Sequence, residues 1–221
     1  MNILFKYPTR NRPGWFKKTL GTYYDMMCND IAHQFLITLD EDDGSMNNLE
    51  MLNYLNSKPR LKYHFGVHHS KIDAVNAGMD LVSDWDILVL VSDDMIPIVK
   101  DFDKIVVEMM ELYFPNTDGA LHFNDGLYGG DRTITLSILG RKLYEQFGYI
   151  YHPDYKSFYC DNEFTDEVYR MKKVIYNPQI IIKHLWTGGP RSADELYCRN
   201  SEMGALDENI YNRRKALGFP K

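Results

Sequence analysis

Asp86-Ile-Leu-Val-Leu-Val-Ser-Asp-Asp-Met-Ile-Pro97 decides the fold. The unbroken apolar run Ile87 to Val91 predicts a strand buried on both faces, as in a parallel sheet with helices above and below. It runs straight into Asp93 and Asp94, and Pro97 then blocks simple continuation of the strand. Open α/β sheets gather ligands outside the carboxyl ends of their strands. Two neighbouring carboxylates at such an edge repel one another unless a cation lies between them. Hard divalent ions such as Mg²⁺ or Mn²⁺ take oxygen ligands of this kind and share them with a diphosphate. The pair therefore points to a metal–diphosphate site. The plainer alternative is a solvated turn or a helix N-cap, since a helix-like segment starts near Asp101.

The bulk composition fits one α/β domain with a small appendage. The chain has 221 residues, 44% hydrophobic and 14% aromatic, enough to build a core. No run of eighteen apolar residues occurs and Ile3-Leu4-Phe5 enters a strand at once, so neither a membrane span nor a signal peptide is expected. Cys28, Cys160 and Cys198 are odd in number and lack metal-finger spacing, which fits free thiols in a reducing, cytoplasmic setting. A net charge of -6 disfavours a nucleic-acid partner, which needs a basic surface.

Working outward, residues 2–7 predict a first strand that ends at Pro8-Thr9-Arg10-Asn11-Arg12-Pro13-Gly14, a turn exposing backbone and guanidinium groups. A helix over 15–28 follows. Phe35 to Leu39 predicts a second strand that also runs into acid, Asp40-Glu41-Asp42-Asp43-Gly44-Ser45. Asp40 stands at the ligand edge of the sheet, where a carboxylate accepts from a nucleobase N–H or a ribose hydroxyl; the other acids read as a solvated loop or helix start. A helix from Leu49 to Leu55 and a strand at 63–65 come next. Ser70 then caps a helix expected to reach Val82, with Lys71 in its first turn and Gly78 in its middle. Lys71 has the wrong sign for the helix dipole and so invites an anion such as a diphosphate. The pair His68-His69 reads as loop or surface.

Beyond the central stretch, the pattern predicts a helix over 102–114, a strand at 119–123, and a glycine-rich loop, 124–132, able to shape a second pocket. A strand over 133–139, a helix over 141–147, and a helix from about 160 to Met171 follow. Asp161 and Glu163 lie at the start of that last helix; either is an ordinary N-terminal acid or a base for an acceptor hydroxyl. Two late strands, 174–176 and 179–184, end at His184, a structural histidine or a further metal or phosphate contact. Residues 187–221 predict a polar tail or lid with a short helix near Asp207 to Ala216.

Taken in order, these stretches resemble the family 2 glycosyltransferases of GT-A fold over about residues 1–186. The matching features are the Pro8-Thr-Arg-Asn-Arg-Pro13 loop, a strand ending in Asp40, Lys71-x-x-Ala-x-Asn-x-Gly78, the strand into Ser92-Asp-Asp94, and Cys160-Asp-Asn-Glu-Phe164. The resemblance implies a nucleotide-diphospho-sugar-binding fold with a mostly parallel central sheet flanked by helices. It implies a UDP- or GDP-sugar donor, Mn²⁺ or Mg²⁺, and inverting transfer to the hydroxyl of a glycan or other acceptor. Pro8, Thr9, Arg10 and Asp40 would hold the nucleoside, Lys71 the diphosphate, and Asp93 the ribose and metal. Asp94 and His184 would complete the metal ligands, with Asp161 as base. Departures from the pattern are Cys160 where a Glu is usual, which leaves Glu163 open as the base, and Ser92 in place of a third Asp. Asp-Asp-Gly-Ser falls at 42–45, which leaves Asp42 open beside Asp40. A metal-dependent nucleotidyltransferase and a non-catalytic nucleotide- or sugar-binding module remain the alternatives.

Overall fold

The apolar run at the centre of the chain becomes a strand with every side chain buried, Ile87–Leu90, in the middle of a seven-stranded sheet. The computed structural model describes residues 1–127, 132–185 and 202–220. In chain order the elements begin β1 (Ile3–Pro8), α1 (Pro13–Met26), β2 (His33–Asp40), α2 (Leu49–Asn56), β3 (Leu61–Gly66) and α3 (Lys71–Asn76). They continue with β4 (Ile87–Leu90), β5 (Met95–Pro97), α4 (Phe102–Tyr113), β6 (Ala120–Phe123), β7 (Ile138–Gly140) and α5 (Arg141–Phe147). The last are α6 (Cys160–Arg170), β8 (Val174–Asn177), β9 (Ile182–His184) and α7 (Gly204–Ala216). No helix among the described residues is long and apolar enough to cross a membrane.

The sheet order is β3-β2-β1-β4-β7-β6-β8, with β1 to β4 parallel and β7 antiparallel to both its neighbours. From β1 the chain moves outward through β2 and β3, then returns to the other side of β1 as β4. That reversal opens a crevice at the carboxyl ends of β1 and β4, where ligands of such sheets lodge.

Alternation along β1 sorts the two cores. Ile3, Phe5 and Tyr7 face a cluster with Phe16, Leu20 and Tyr23 of α1, Met51 and Leu55 of α2, and Phe102 and Val106 of α4. Leu4 faces the opposite cluster, with Ile72 and Val75 of α3, Leu143 of α5, and Phe164 and Val168 of α6. Each such side chain contributes about 1.5–3 kcal/mol on leaving water, so the two layers fix the sheet between them. Lys6 shares the face of Leu4 and is fully buried. Its Nζ donates to Thr38 Oγ1 at 2.9 Å and to the Ala77 carbonyl at 2.7 Å, which satisfies the amine inside an apolar layer.

Several elements are shorter than their sequence patterns suggest. Ser70 does cap α3, accepting from Asp73 N at 3.1 Å, yet the helix stops at Asn76 rather than Val82. Gly78 turns the chain at φ +73°, a conformation open to glycine, and a 3-10 turn at Met79–Leu81 follows. The expected strand over 133–139 is reduced to Ile138–Gly140. The second late strand keeps only Ile182–His184 and leaves the main sheet to pair antiparallel with β5, Met95 against His184 and Pro97 against Ile182. The central strand does not continue past Leu90, and Pro97 instead ends the short strand of a separate two-stranded ribbon. That ribbon carries His184 back to the Asp93-Asp94 turn.

The tail helix is docked rather than free. Arg214 of α7 makes a bidentate pair with Glu163 of α6, Nε to Oε2 at 2.8 Å and Nη2 to Oε1 at 2.9 Å, both side chains buried. Of the tail, residues 187–201 and with them Cys198 lie outside the described residues, as do residues 128–131 of the glycine-rich loop. Cys28 and Cys160 are free thiols.

Candidate active site

The carboxyl ends of β1, β2 and β4, the first turns of α3 and α6, and the end of β9 surround one cavity of about 420 Å³. Pro8, Thr9 and Arg10 reach it from the loop after β1, Asp40 from the last position of β2, and Lys71 from the first turn of α3. Asp93 and Asp94 line it after β4, Asp161 from α6 and His184 from β9. Asp42 and Glu163 are not among its lining residues. Asp42 is largely exposed and pairs with Arg10. Glu163 is engaged by Arg214 and by the Tyr155 hydroxyl at 2.7 Å, so neither oxygen of that carboxylate faces the cavity.

Asp93 and Asp94 point in different directions. Asp93 is buried and accepts from Tyr7 Oη at 3.0 Å and from Thr9 Oγ1 at 3.0 and 3.1 Å, while its carbonyl accepts from Thr19 Oγ1 at 2.7 Å. Burial pushes its carboxyl up to about 7, although the Tyr7 and Thr9 hydrogen bonds pull the other way. Asp94 Oδ1 accepts from Ser92 Oγ at 2.5 Å, and Oδ2 stands 3.4 Å from His184 Nε2. Burial would raise Asp94, but His184, the Ser92 hydroxyl and Lys71 outweigh it and hold the carboxyl well below the usual range. Backbone bonds lock this arrangement: Leu185 N donates to the Asp94 carbonyl at 2.6 Å and His184 N to the Asp125 carbonyl at 2.8 Å.

The shell expected of Asp93, Asp94 and His184 is thus split. Asp93 is committed to Tyr7 and Thr9, and among the described residues no three His, Cys, Asp or Glu side chains converge as a group that could hold an ion. What remains is the facing pair of Asp94 and His184. His184 Nδ1 is buried without a hydrogen-bond partner and lies 3.6 Å from Asp125 Oδ2, whose carboxylate is itself fixed by Thr135 Oγ1 and by Leu127 N at 2.8 Å. Burial would lower the imidazole, but Asp125 and Asp94 on its two sides push it up to about 9. A carboxylate behind one ring nitrogen, with the other nitrogen turned toward an acid, is the arrangement that orients a metal-ligating histidine. The chemistry of this donor set fits a hard divalent ion of the kind held by one or two protein groups and a substrate's own phosphates.

At the β2 end, Asp40 Oδ1 meets His68 Nδ1 at 2.6 Å and Oδ2 accepts from Arg10 Nη1 at 2.5 Å. Burial would raise Asp40, but these two partners hold it below its ordinary value, so an anion is kept at that end of the cavity. At the α6 end, burial raises Asp161, and the nearby Lys71 charge partly opposes that rise. A carboxylate made more basic by burial is a better proton acceptor near neutral pH.

The sequence matches no protein-family model and no curated protein. Solved structures do match. A mannosyltransferase from Pyrobaculum calidifontis, in complex with GDP-Man and Mn²⁺, superposes with TM-score 0.72 at 15% identity over 99% of this chain and 65% of the other. Staphylococcus aureus TarS, in complex with UDP-GlcNAc, gives 0.66 at 14% identity over 94% of this chain and 66% of the other. A Drosophila β1,4-galactosyltransferase 7 mutant, with manganese, UDP-Gal and xylobiose, gives 0.57 at 13% identity over 88% and 74%. The fold is the GT-A glycosyltransferase fold. The chain spans about two thirds of the length of the first two of these GT-A structures.

Several residues that line or brace this cavity carry no signal in the sequence. Tyr7 is one apolar-looking residue of a strand, and its hydroxyl is aimed at Asp93 only because β1 and β4 are neighbours in register. His68 reads as a surface histidine until β3 ends beside β2 and brings it to Asp40. Asp125 sits in a loop whose pairing with His184 depends on a ribbon that the apolar run 179–184 does not announce. The acids after β2 are not merely solvated: Asp43 is buried and ties the two loops together, accepting from Asn11 N at 2.6 Å and Ser45 Oγ at 2.6 Å.

Proposed function

We propose that this chain is a metal-dependent inverting glycosyltransferase that moves a sugar from a nucleotide-diphosphate donor to an acceptor hydroxyl. The observation that carries the reading is the convergence of polar residues from six separate segments on one cavity at the sheet's reversal point. The Asp94–His184 pair lines the same cavity as Lys71 and Asp161. The complexes of the GT-A neighbours with GDP-Man, UDP-GlcNAc and UDP-Gal support a UDP- or GDP-sugar as donor. A nucleoside fits against Thr9, Arg10 and Asp40, with Asp40 kept anionic to accept from a base N–H or a ribose hydroxyl. Lys71, exposed at the start of α3, faces the diphosphate as a mobile point charge.

Asp94 and His184 would hold a divalent ion, with Asp93 set just behind them against Tyr7 and Thr9. When bound, Mn²⁺ or Mg²⁺ would neutralise the charge that gathers on a departing diphosphate. Asp161 accepts the proton of the acceptor hydroxyl as that oxygen forms its bond to the sugar's C1. The bond from C1 to the diphosphate oxygen breaks in the same displacement and the electron pair leaves with the nucleoside diphosphate, so the configuration at C1 inverts. Burial of Asp161 makes it a stronger base, and the Lys71 charge opposes part of that rise.

The test is donor turnover. Incubation with a panel of UDP- and GDP-sugars plus Mn²⁺ should release free nucleoside diphosphate for at least one donor. Asp161→Asn should retain nucleotide binding and lose transfer or hydrolysis by about 100-fold or more. A chain that binds sugar nucleotides and never turns them over is a binding module. Loss from Glu163→Gln with Asp161→Asn fully active would move the base.

A further inference from the structure

Asp207, the fourth residue of α7, has no solvent exposure, and its carboxylate reaches out of its own helix. Its Oδ1 accepts from Lys156 N at 2.9 Å, and its Oδ2 accepts from Ser157 N at 2.7 Å and Phe158 N at 2.8 Å. Three successive amides thus converge on one carboxylate from a distant helix, an anion-binding concavity filled by the protein itself. The loop they belong to leads directly into Tyr159, which holds a left-handed φ of 60° and caps α6, and then into Asp161. On its other side the Lys156 carbonyl accepts from Ile72 N at 3.4 Å, in the turn that carries Lys71.

A helix that needed only to dock could present an apolar side chain at this position, since burying a carboxylate is costly unless every lone pair is used. Here the carboxylate is spent on the backbone of a loop whose residues 156–158 line the same cavity as Asp161. Two turns further along the same face, Arg214 grips Glu163 on the first turns of α6. The tail helix therefore holds the chain on both sides of Asp161. We propose that Asp207 is a positioning residue: it fixes the 156–158 loop and, through it, the placement of Asp161 for the transfer step, without serving donor binding. This rests on the glycosyltransferase reading.

The experiment compares the full chain with Asp207→Asn, which keeps the shape and removes one acceptor, and with Asp207→Glu, which keeps the charge on a longer arm. UDP- and GDP-sugars with Mn²⁺ serve as donors, water as acceptor, and amide exchange at residues 156–158 is followed in parallel. Asp207→Asn is expected to speed exchange at those amides and lower kcat about tenfold or more, with nucleotide Kd within about twofold of the parent. Asp207→Glu is expected to recover part of the kcat. Should the Asn variant not fold, the Glu variant carries the comparison, with a kcat below the parent's at equal Kd. A lower melting temperature with kcat and exchange unchanged overturns the proposal, as does a parallel loss of donor affinity. Failure of a wild-type chain to bind or turn over any donor sinks both readings, and is distinct from a working parent whose Asp207→Asn variant works equally well.

Discussion

The Tyr7 hydroxyl donates to Asp93 Oδ1 at 3.0 Å across the seam between β1 and β4, with both groups buried. Thr9 reaches the same carboxylate from the loop just after β1, so the strand and its exit supply two donors to the acid that follows β4. Tyr7→Phe preserves the ring and its edge contact with Phe16 but removes one donor. The expected cost is about 1–3 kcal/mol of unfolding free energy, the range for stranding a buried acceptor. Urea unfolding measures it, and no loss of stability would mean that Thr9 alone satisfies the carboxylate.

Lys6 gives a pH dependence with a definite sign. Burial lowers its pKa from 10.5 to about 7. Below about pH 7 the amine is charged in both states, and the folded state carries the full cost of an enclosed ammonium. Between there and about pH 10.5 the unfolded chain binds more protons than the folded one, so this group's contribution to stability rises with pH by up to about 1.4 kcal/mol per unit. Lys6→Met removes that dependence. The variant should gain most relative to wild type near about pH 6, and the difference should shrink toward about pH 10. Parallel denaturation curves for the two proteins at every pH would show that Lys6 is not the source.

The sheet was legible because its strands are apolar runs that end in polar punctuation, as at Val91 to Asp93 or Leu39 to Asp40. Cavity residues contributed by strand ends and helix starts were legible for the same reason: position at the sheet edge follows from periodicity alone. What periodicity does not carry is the direction of a side chain once neighbours compete for it. Asp93 and Asp94 are equivalent as letters, yet Tyr7 and Thr9 capture the first and His184 faces the second. Gly78 looks like a helix interior glycine, but Lys6 reaching the Ala77 carbonyl goes with a helix that has already ended. Arg214 and Asp207 belong to a tail that reads as polar and solvated, and only the docked helix explains why two charged groups there are buried.

The Glu163–Arg214 pair should behave as a buried ion pair rather than a surface one. Arg214→Met leaves Glu163 with the Tyr155 hydroxyl alone, at an expected cost of about 3–5 kcal/mol. Combining it with Glu163→Leu should recover most of that loss, because two apolar groups of similar bulk need no counter-charge. Thermal or urea denaturation of the two single variants and the double variant decides this. Additive losses would show that the groups do not depend on one another.

Arg10 and His68 hold Asp40 from opposite oxygens at the β2 end of the cavity, where the proposed function seats the nucleoside. Asp40→Asn removes the charge while keeping an acceptor there. Its expected effect is about a tenfold weaker affinity for UDP or GDP with inorganic pyrophosphate binding unchanged, since the proposed function seats the diphosphate against other residues. Equal losses for nucleotide and pyrophosphate would place Asp40's influence on the whole cavity instead of the nucleoside.

The central claim is that Asp94 and His184 hold a divalent ion against a nucleotide's diphosphate, and isothermal calorimetry of UDP and GDP with and without Mn²⁺ tests it most directly. Binding of at least one nucleotide should tighten about tenfold or more with Mn²⁺, and Asp94→Asn should abolish that gain while leaving the metal-free affinity unchanged. Nucleotide affinity that ignores Mn²⁺, or a Mn²⁺ gain that survives Asp94→Asn, would contradict the account.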